Sequence, residues 1–492
     1  VLGTAGLYVE RRRAEGRLWW AAAGVLPLVL WLGLPIGLMA GLGLFTDAFL
    51  KFLITAVPAW CLLAAAGPLV AQGRVGRSTL GASVAVLVVS MAGMVLPGYY
   101  QDAYARDNYR GIADFIAGRG DRVRDLVILD APGQQEVWRY YDPGLPVLAL
   151  PATRPPSGDE VATDLAAATA GRRNLYALFW ATDEADPQRL VETWLDRNAF
   201  KALDVWQGNV RLATYALATG LQPVALEPVH LGDAVVLAGQ AQPTGQQGGQ
   251  HVAAGDAALV QLRWEVLQDV AERYKVSVQL LDAASQVVAQ RDGEPSGGSR
   301  PTDGWQAGEQ ILDNYALPVP FGTPPGDYRL VAAMYNAQTG QRLTHAGGDS
   351  VELGSIWIDR TQTPVSPSLV PMAQRLDREL GPVVLAGYDA YRKDFAHAPE
   401  TSLQPGDTAH FVLYWQAPDP LPPNWPRDLA VTLRLGDQTV TAPLAGAQYP
   451  TGFWTGGEIV RGQYDIPYDG TGARVQVEVA GESVELAPLP AK

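Results

Sequence analysis

The stretch AAGDAALVQLRW (residues 253–264) has a counterpart in QPGDTAHFVLYW (404–415), setting Gly255, Asp256 and Trp264 against Gly406, Asp407 and Trp415 at a constant offset of 151 residues. Each opens on a Gly-Asp turn and then alternates apolar and polar positions until a tryptophan closes it, the pattern of a strand with one buried face. A second pair follows. PTDGWQAGEQILDNYALPVP (301–320) matches PTGFWTGGEIVRGQYDIP (450–467), so Pro301, Trp305, Glu309 and Tyr315 face Pro450, Trp454, Glu458 and Tyr464 at an offset of 149. Two related modules explain both pairs. From Leu221 onward, short alternating segments separated by Gly, Pro and Asp predict β-sandwich-like modules over residues 217–362 and 380–492. The linker over 363–379 begins in the Pro/Ser/Thr-rich run TQTPVSPSLVPMAQ (361–374) and reads as an extended, exposed crossing. Trp264 and Trp415 are expected in the two cores. Trp305 and Trp454 each follow a turn-forming Pro-Thr pair, and two roles stay open for them: a platform offering its ring to a glycan, or a corner that fixes the fold.

The chain has 492 residues, enough for three or more domains. Its 37 basic and 51 acidic side chains are unevenly spread, with seven Lys/Arg against three Asp/Glu in residues 1–99 and a strongly acidic remainder. Such a surface repels phosphate backbones, which argues against a nucleic-acid partner. Cys61 is the only cysteine, so no disulfide or CxxC metal site forms within the chain.

Ahead of the modules, Leu18–Phe45, Phe49–Ala71 and Thr79–Pro97 are long, nearly charge-free apolar runs, and their length predicts α-helical transmembrane segments. Arg11, Arg12, Arg13 and Arg17 flank the first run, and Arg74 and Arg77 lie between the second and third. The positive-inside rule places both clusters in the cytoplasm. The expected localisation is a bacterial inner membrane, crossed several times, with residues after about 98 extracytoplasmic. The opening VLGTAGLYV (1–9) is too short to span and reads as the inner end of an earlier helix, so that residues 1–99 would close a longer membrane domain.

Residues 100–216 alternate amphipathic helices (Tyr109–Ala117 and about Gln134–Tyr141) with apolar runs (Leu126–Leu129 and Pro146–Leu150). Further on, DEVATDLAAATAG reads as a helix, NLYALFWAT as a buried strand, and DPQRLVETWLDRN as a helix capped by Asp186 with Pro187 in its first turn. That alternation predicts a small parallel α/β layer. The expected fold class is multidomain: α-helical transmembrane segments, then a small α/β domain, then two all-β sandwich-like modules. No GxGxxG follows the first strand and no GxxxxGK[ST] occurs, which argues against nucleotide binding.

The run NYRGIADFI, LVILDAP, VWRYY and PVLALP, preceded by LPIGLMAGLGLFTDAFLKFLITAVPAWCLLAAAGPLVAQG, resembles the late membrane segments and extracytoplasmic region of family 39 glycosyltransferases. These are GT-C-class enzymes similar to dolichyl-phosphate-mannose protein mannosyltransferases. The resemblance covers about residues 20–180. It implies the C-terminal portion of a membrane glycosyltransferase that moves a sugar from a polyprenyl-phosphate donor to an extracytoplasmic glycan or protein acceptor, with membrane lipid as a further partner. The family's basic position falls on Lys51, and its catalytic acidic loop would precede Val1, so no catalytic residue is assigned. Arg106, Arg110, Tyr140 and Tyr141 fall in the matching membrane-proximal region and are candidates for contact with donor phosphate or acceptor, against packing and headgroup roles.

Other chemistry has little support. His230, His251, His345, His397 and His410 show neither HExxH nor HxH spacing, and there is no GxSxG elbow or Asp-x-Asp triplet. No metal ligand or cofactor is assigned in this chain, although a divalent cation is compatible with a full-length transferase. The alternative function is a non-catalytic, membrane-anchored surface protein whose β modules bind glycans or protein partners.

Overall fold

The computed structural model describes residues 18–44, 51–62, 78, 81–86, 88–90, 92–94 and 107–487, the last range without 219, 244–248, 362, 397 and 473. The chain forms two compact units, Val1–Arg106 and Asp107–Lys492.

In the first unit, α1 (Leu18–Gly41) carries Pro27 and Pro35, each of which removes a backbone donor from the helical ladder. The next apolar run opens as a 3₁₀ helix, Lys51–Ala56. Among the described residues no helix is long and apolar enough to cross a membrane. This overturns the expected transmembrane class, and with it the multi-pass inner-membrane localisation. Hydropathy sums transfer energies along a run and does not specify the helix it forms: the second run opens as a six-residue 3₁₀ helix. The described chain is instead mostly β-strand. Val1–Val9 and all six arginine anchors lie outside the described residues.

The second unit opens with α2 (Tyr109–Ala117), capped by the Asn108 side chain on the Gly111 amide. Strands β1 (Asp125–Asp130), β2 (Val147–Leu150) and β3 (Asn174–Phe179) run parallel in the order β2-β1-β3. Every residue of β1 is buried, as expected of a strand covered on both faces. One face meets Ile112 and Ile116 of α2 and Trp138 of α3 (Gln135–Tyr141). The other meets Leu165 of α4 (Gly158–Thr169) and, beyond the short turn α5 (Thr182–Ala185), Val191 and Leu195 of α6 (Leu190–Asn198). Asp186 does not cap a helix begun at Pro187. It is buried and accepts from the Val191 amide at 2.9 Å, because the chain turns once more, with Arg189 left-handed, before α6 starts.

The hairpin β4 (Phe200–Gln207) and β5 (Val210–Ala216) joins antiparallel to β3. Module 1 follows as β6 (Leu221–Val224), β7 (Val229–Leu231), β8 (Val235–Pro243), β9 (His251–Ala253), β10 (Ala257–Val266), β11 (Tyr274–Leu281), β12 (Val287–Gly293), β13 (Gln310–Pro318), β14 (Gly326–Asn336) and β15 (Val351–Asp359). Its first sheet continues the α/β sheet without a break, in the order β2-β1-β3-β5-β4-β13-β10-β8-β6. The junction is the Tyr315–Lys201 pairing. A second sheet, β12-β11-β14-β15-β9, packs over it around Trp264 and Trp305. Module 2 comprises β16 (Gln374–Leu380), β17 (Val383–Arg392), β18 (Thr408–Gln416), β19 (Ala430–Leu435), β20 (Gln438–Pro443), β21 (Ile459–Pro467), β22 (Val475–Val479) and β23 (Glu482–Glu485). These form two four-stranded sheets closed on Trp415 and Trp454.

The sequence repeat recurs bond for bond. Gly255 (φ +98°) donates to the Val319 carbonyl at 2.8 Å, and Gly406 (φ +96°) donates to Tyr468 at 2.8 Å. At the second repeated segment, Thr302 accepts from the Tyr274 amide and donates to the Glu272 carbonyl, while Thr451 does the same between Leu429 and Pro426. The indole of Trp305 donates to Arg300 and that of Trp454 to Tyr449, and Glu309 and Glu458 each cap the turn three residues before them.

Candidate functional site

A cleft of about 1060 Å³ opens where the α/β layer, module 1 and the linker to module 2 converge. Its walls come from residues far apart in sequence: Phe115 and Arg119 at the end of α2, Tyr176 on β3, Phe321 after β13, and Tyr414 on β18. The linker forms one side. Val370 is buried with Ala386, Val412, Tyr414 and Ile459, and Val365 and Met372 pack on the same cluster. The Pro/Ser/Thr-rich stretch is therefore partly folded into the molecule rather than an exposed crossing, because its apolar residues find a face of β18 to cover.

Arg119 is the distinctive side chain. Its guanidinium carbon lies 4.3 Å from the ring centre of Phe115 and 5.8 Å from that of Phe321, a stacked geometry that suits a planar, weakly hydrated cation. Loss of water on the ring side lowers its pKa from the ordinary value, and the one titratable neighbour acting on it among the described residues is Tyr176. Tyr176 is 5 % exposed, and burial first and Asp125 second raise its pKa, so its hydroxyl stays protonated. Neither the Arg119 guanidinium nor the Tyr176 hydroxyl hydrogen-bonds to another described residue. Phe321 owes its place to Gly255, where a Cβ would stand 2.3 Å from the ring.

The carboxylates of the cleft are all engaged. Asp125 accepts from the Asp121 amide and from the backbone and side chain of Asn174. Asp121 accepts from the Val123 and Arg124 amides, which hold its pKa below the usual carboxylate range. Asp256 pairs with Arg173, and Asp389 accepts from the Ala373 amide at 2.6 Å and the Tyr414 hydroxyl at 2.9 Å. His251, at the rim, is 2.9 Å from Asp359.

A second polar cluster lies inside the α/β layer. Lys201 stands 2.7 Å from Asp196 and 3.3 Å from Glu192, Arg211 closes on Glu192 at 2.5 Å, and Tyr215 donates to Asp196 at 2.8 Å. This network ties α6 to β4 and β5, each member being matched by another. Asp130, at the C-terminal end of β1, differs: one carboxylate oxygen accepts from Thr182 at 3.1 Å, and the other is buried without a partner, as is one oxygen of Asp186. Burial, then the charge of Asp186, pushes the Asp130 pKa up to about 7. Among the described residues no group of three His, Cys, Asp or Glu side chains stands where it could hold a metal ion.

Of the candidate site residues singled out in the sequence, Arg110, Tyr140, Tyr141, Trp305 and Trp454 have described side chains. Lys51 begins the 3₁₀ helix Lys51–Ala56, and its side chain and Arg106 lie outside the described residues. Arg110 is exposed on α2. Tyr140 is 79 % exposed and meets the half-buried Tyr141 edge to face at 4.8 Å, with Tyr141 packed on the α2 side of the sheet. Arg110, Tyr140 and Tyr141 do not line the cleft. Trp305 and Trp454 are 1 % and 3 % exposed, so each spends its ring on a core and shows no face to solvent. Arg119 and Tyr176 carried no signal in the sequence beyond the i, i+4 spacing of Phe115 and Arg119.

No family model matches the chain, and no curated protein matches it. Solved structures with local likeness include the C-terminal domain of wzt, at 13 % identity over 30 % of this chain and 81 % of that one, with a TM-score of 0.20. A calcium-binding mutant of Bacteroides uniformis beta-glucuronidase 2 matches at 14 % identity over 30 % of this chain and 15 % of that one, TM-score 0.16. The C-terminal domain of the Streptococcus pyogenes antigen I/II-family protein AspA matches at 8 % identity over 51 % and 97 %, TM-score 0.16. Likeness this weak carries neither fold nor function to this chain, and lends the transferase resemblance no support.

Proposed function

We propose that residues 107–487 form a non-catalytic binding unit whose site is the cleft between the α/β layer, module 1 and the linker. The observation that carries this reading is the cleft itself, about 1060 Å³, lined by aromatic rings together with polar and charged groups, a concave site of the size that takes an organic ligand or short oligosaccharide. Binding is favoured over catalysis because the lining carboxylates are held by amides, an arginine or a tyrosine, and His251 at the rim is held by Asp359. Ala373, exposed on the linker wall, offers a way to test the site without disturbing a core. Ala373→Trp is expected to obstruct the linker side of the cleft and abolish binding of any ligand found by thermal-shift screening of oligosaccharides and small organic molecules. Retention of that binding by a folded Ala373→Trp variant would place the site elsewhere.

A further inference from the structure

We infer that the ligand of the cleft is an organic oxyanion, a carboxylate, sulfonate or phosphate carried on a ring-bearing body, held between the Arg119 guanidinium and the Tyr176 hydroxyl. The inference rests on the cleft being a binding site and specifies what that site selects.

Filling the cleft displaces the water that now satisfies its polar groups. Each lining carboxylate already meets a protein donor, Asp125 and Asp389 through both oxygens and Asp121 and Asp256 through one. Arg119 and Tyr176 are different: neither has a partner among the described residues, and one is a cation with five donors while the other is a protonated hydroxyl. A neutral apolar ligand would strip both of water and leave their donors unmatched, a loss comparable to a broken hydrogen bond at each. An oxyanion satisfies both, and its bond to a guanidinium is of the stronger, charge-assisted kind. Phe115 and Phe321 flank that guanidinium, with ring centres 4.3 and 5.8 Å from its carbon. The same two rings, with Tyr414, supply the apolar surface for the rest of the molecule.

Two fluorescent probes of similar shape and opposite demand test this: 8-anilinonaphthalene-1-sulfonate, an anion, and N-phenyl-1-naphthylamine, its neutral analogue. The full chain is expected to bind the sulfonate more tightly, with Ala373→Trp abolishing that binding. Arg119→Met is expected to weaken the sulfonate by at least about tenfold while the neutral probe, which no longer strips a cation of water, binds more tightly, Arg119→Lys to fall between, and Tyr176→Phe to lose a smaller factor. Sulfonate binding that is blocked by Ala373→Trp but untouched by both Arg119→Met and Tyr176→Phe would overturn the anion and leave the cleft standing. Sulfonate binding that survives Ala373→Trp would overturn the cleft and the anion together.

Discussion

Gly255 and Gly406 occupy the same turn in two modules, with φ of +98° and +96°, yet their surroundings differ. A Cβ at 255 collides with Phe321, whereas nothing lies within 4 Å of one at 406. Both alanine variants bear the left-handed strain of about 1–2 kcal/mol, and Gly255→Ala adds an overpacking cost of roughly 1 kcal/mol or more. Paired denaturation of the two variants reads the difference, and equal losses would mean that Phe321 is not seated on Gly255. Asp130 carries a pH effect. Its pKa rises from 3.8 unfolded to about 7 folded, so the folded state holds a proton that the unfolded state releases, and this group's contribution falls as pH rises from about 4 to 7. Asp130→Asn has no charge to desolvate and is expected to exceed the parent in stability by on the order of 2 kcal/mol at pH 8, with the gain fading toward pH 4. Melting curves across that range check it, and a pH-independent difference would count against burial of a titrating acid. At this scale the sequence showed the paired glycines, since both lie in one repeated turn. It could not show Arg119, whose ring partner Phe321 lies 202 positions away and reaches it only through the fold.

Among the elements, the Pro-Thr-x-x-Trp-x-x-Gly-Glu corner was the most legible, and its ambiguity was one of burial. Spacing marks the tryptophans, but only the packed structure shows their rings in the cores and their indoles on backbone carbonyls. The corner threonines, 0 % and 1 % exposed, each join two otherwise unmatched backbone groups. Thr302→Val or Thr451→Val keeps the shape and removes both bonds, which predicts a loss of about 1–3 kcal/mol in either module. Chemical denaturation followed by tryptophan fluorescence measures it, and a neutral effect would mean that water replaces the hydroxyl. The linker was less legible. Its prolines announce an irregular path, while the burial of Val370 depends on β17, β18 and β21, which nothing local to the linker specifies.

For the whole molecule, the apolar N-terminal runs led to transmembrane helices because composition records apolar content and not the kind of helix formed, such as the 3₁₀ turn at Lys51–Ala56. The strand alternation after Leu221 survived because period two is a local property that sheet packing preserves. What local pattern did not reveal is that the α/β layer and module 1 share one sheet. The Tyr315–Lys201 pairing is reinforced by the Asn314 side chain, which donates to the Arg197 and Ala199 carbonyls, by Lys201 donating to the Gly297 carbonyl, and by the packing of Phe200 on Leu259 and Ala316. A sheet that crosses a domain boundary predicts that the two parts open together. Leu178→Ala, in the core beneath α2, should cost about 2–5 kcal/mol. If the sheet is one cooperative unit, hydrogen exchange in the variant will speed up by the same factor in β1, β3, β10 and β13, while β19 and β22 of module 2 keep their protection. Unchanged exchange in β10 and β13 would instead place the cooperative boundary at β4, and the cleft would then lie between parts able to open independently.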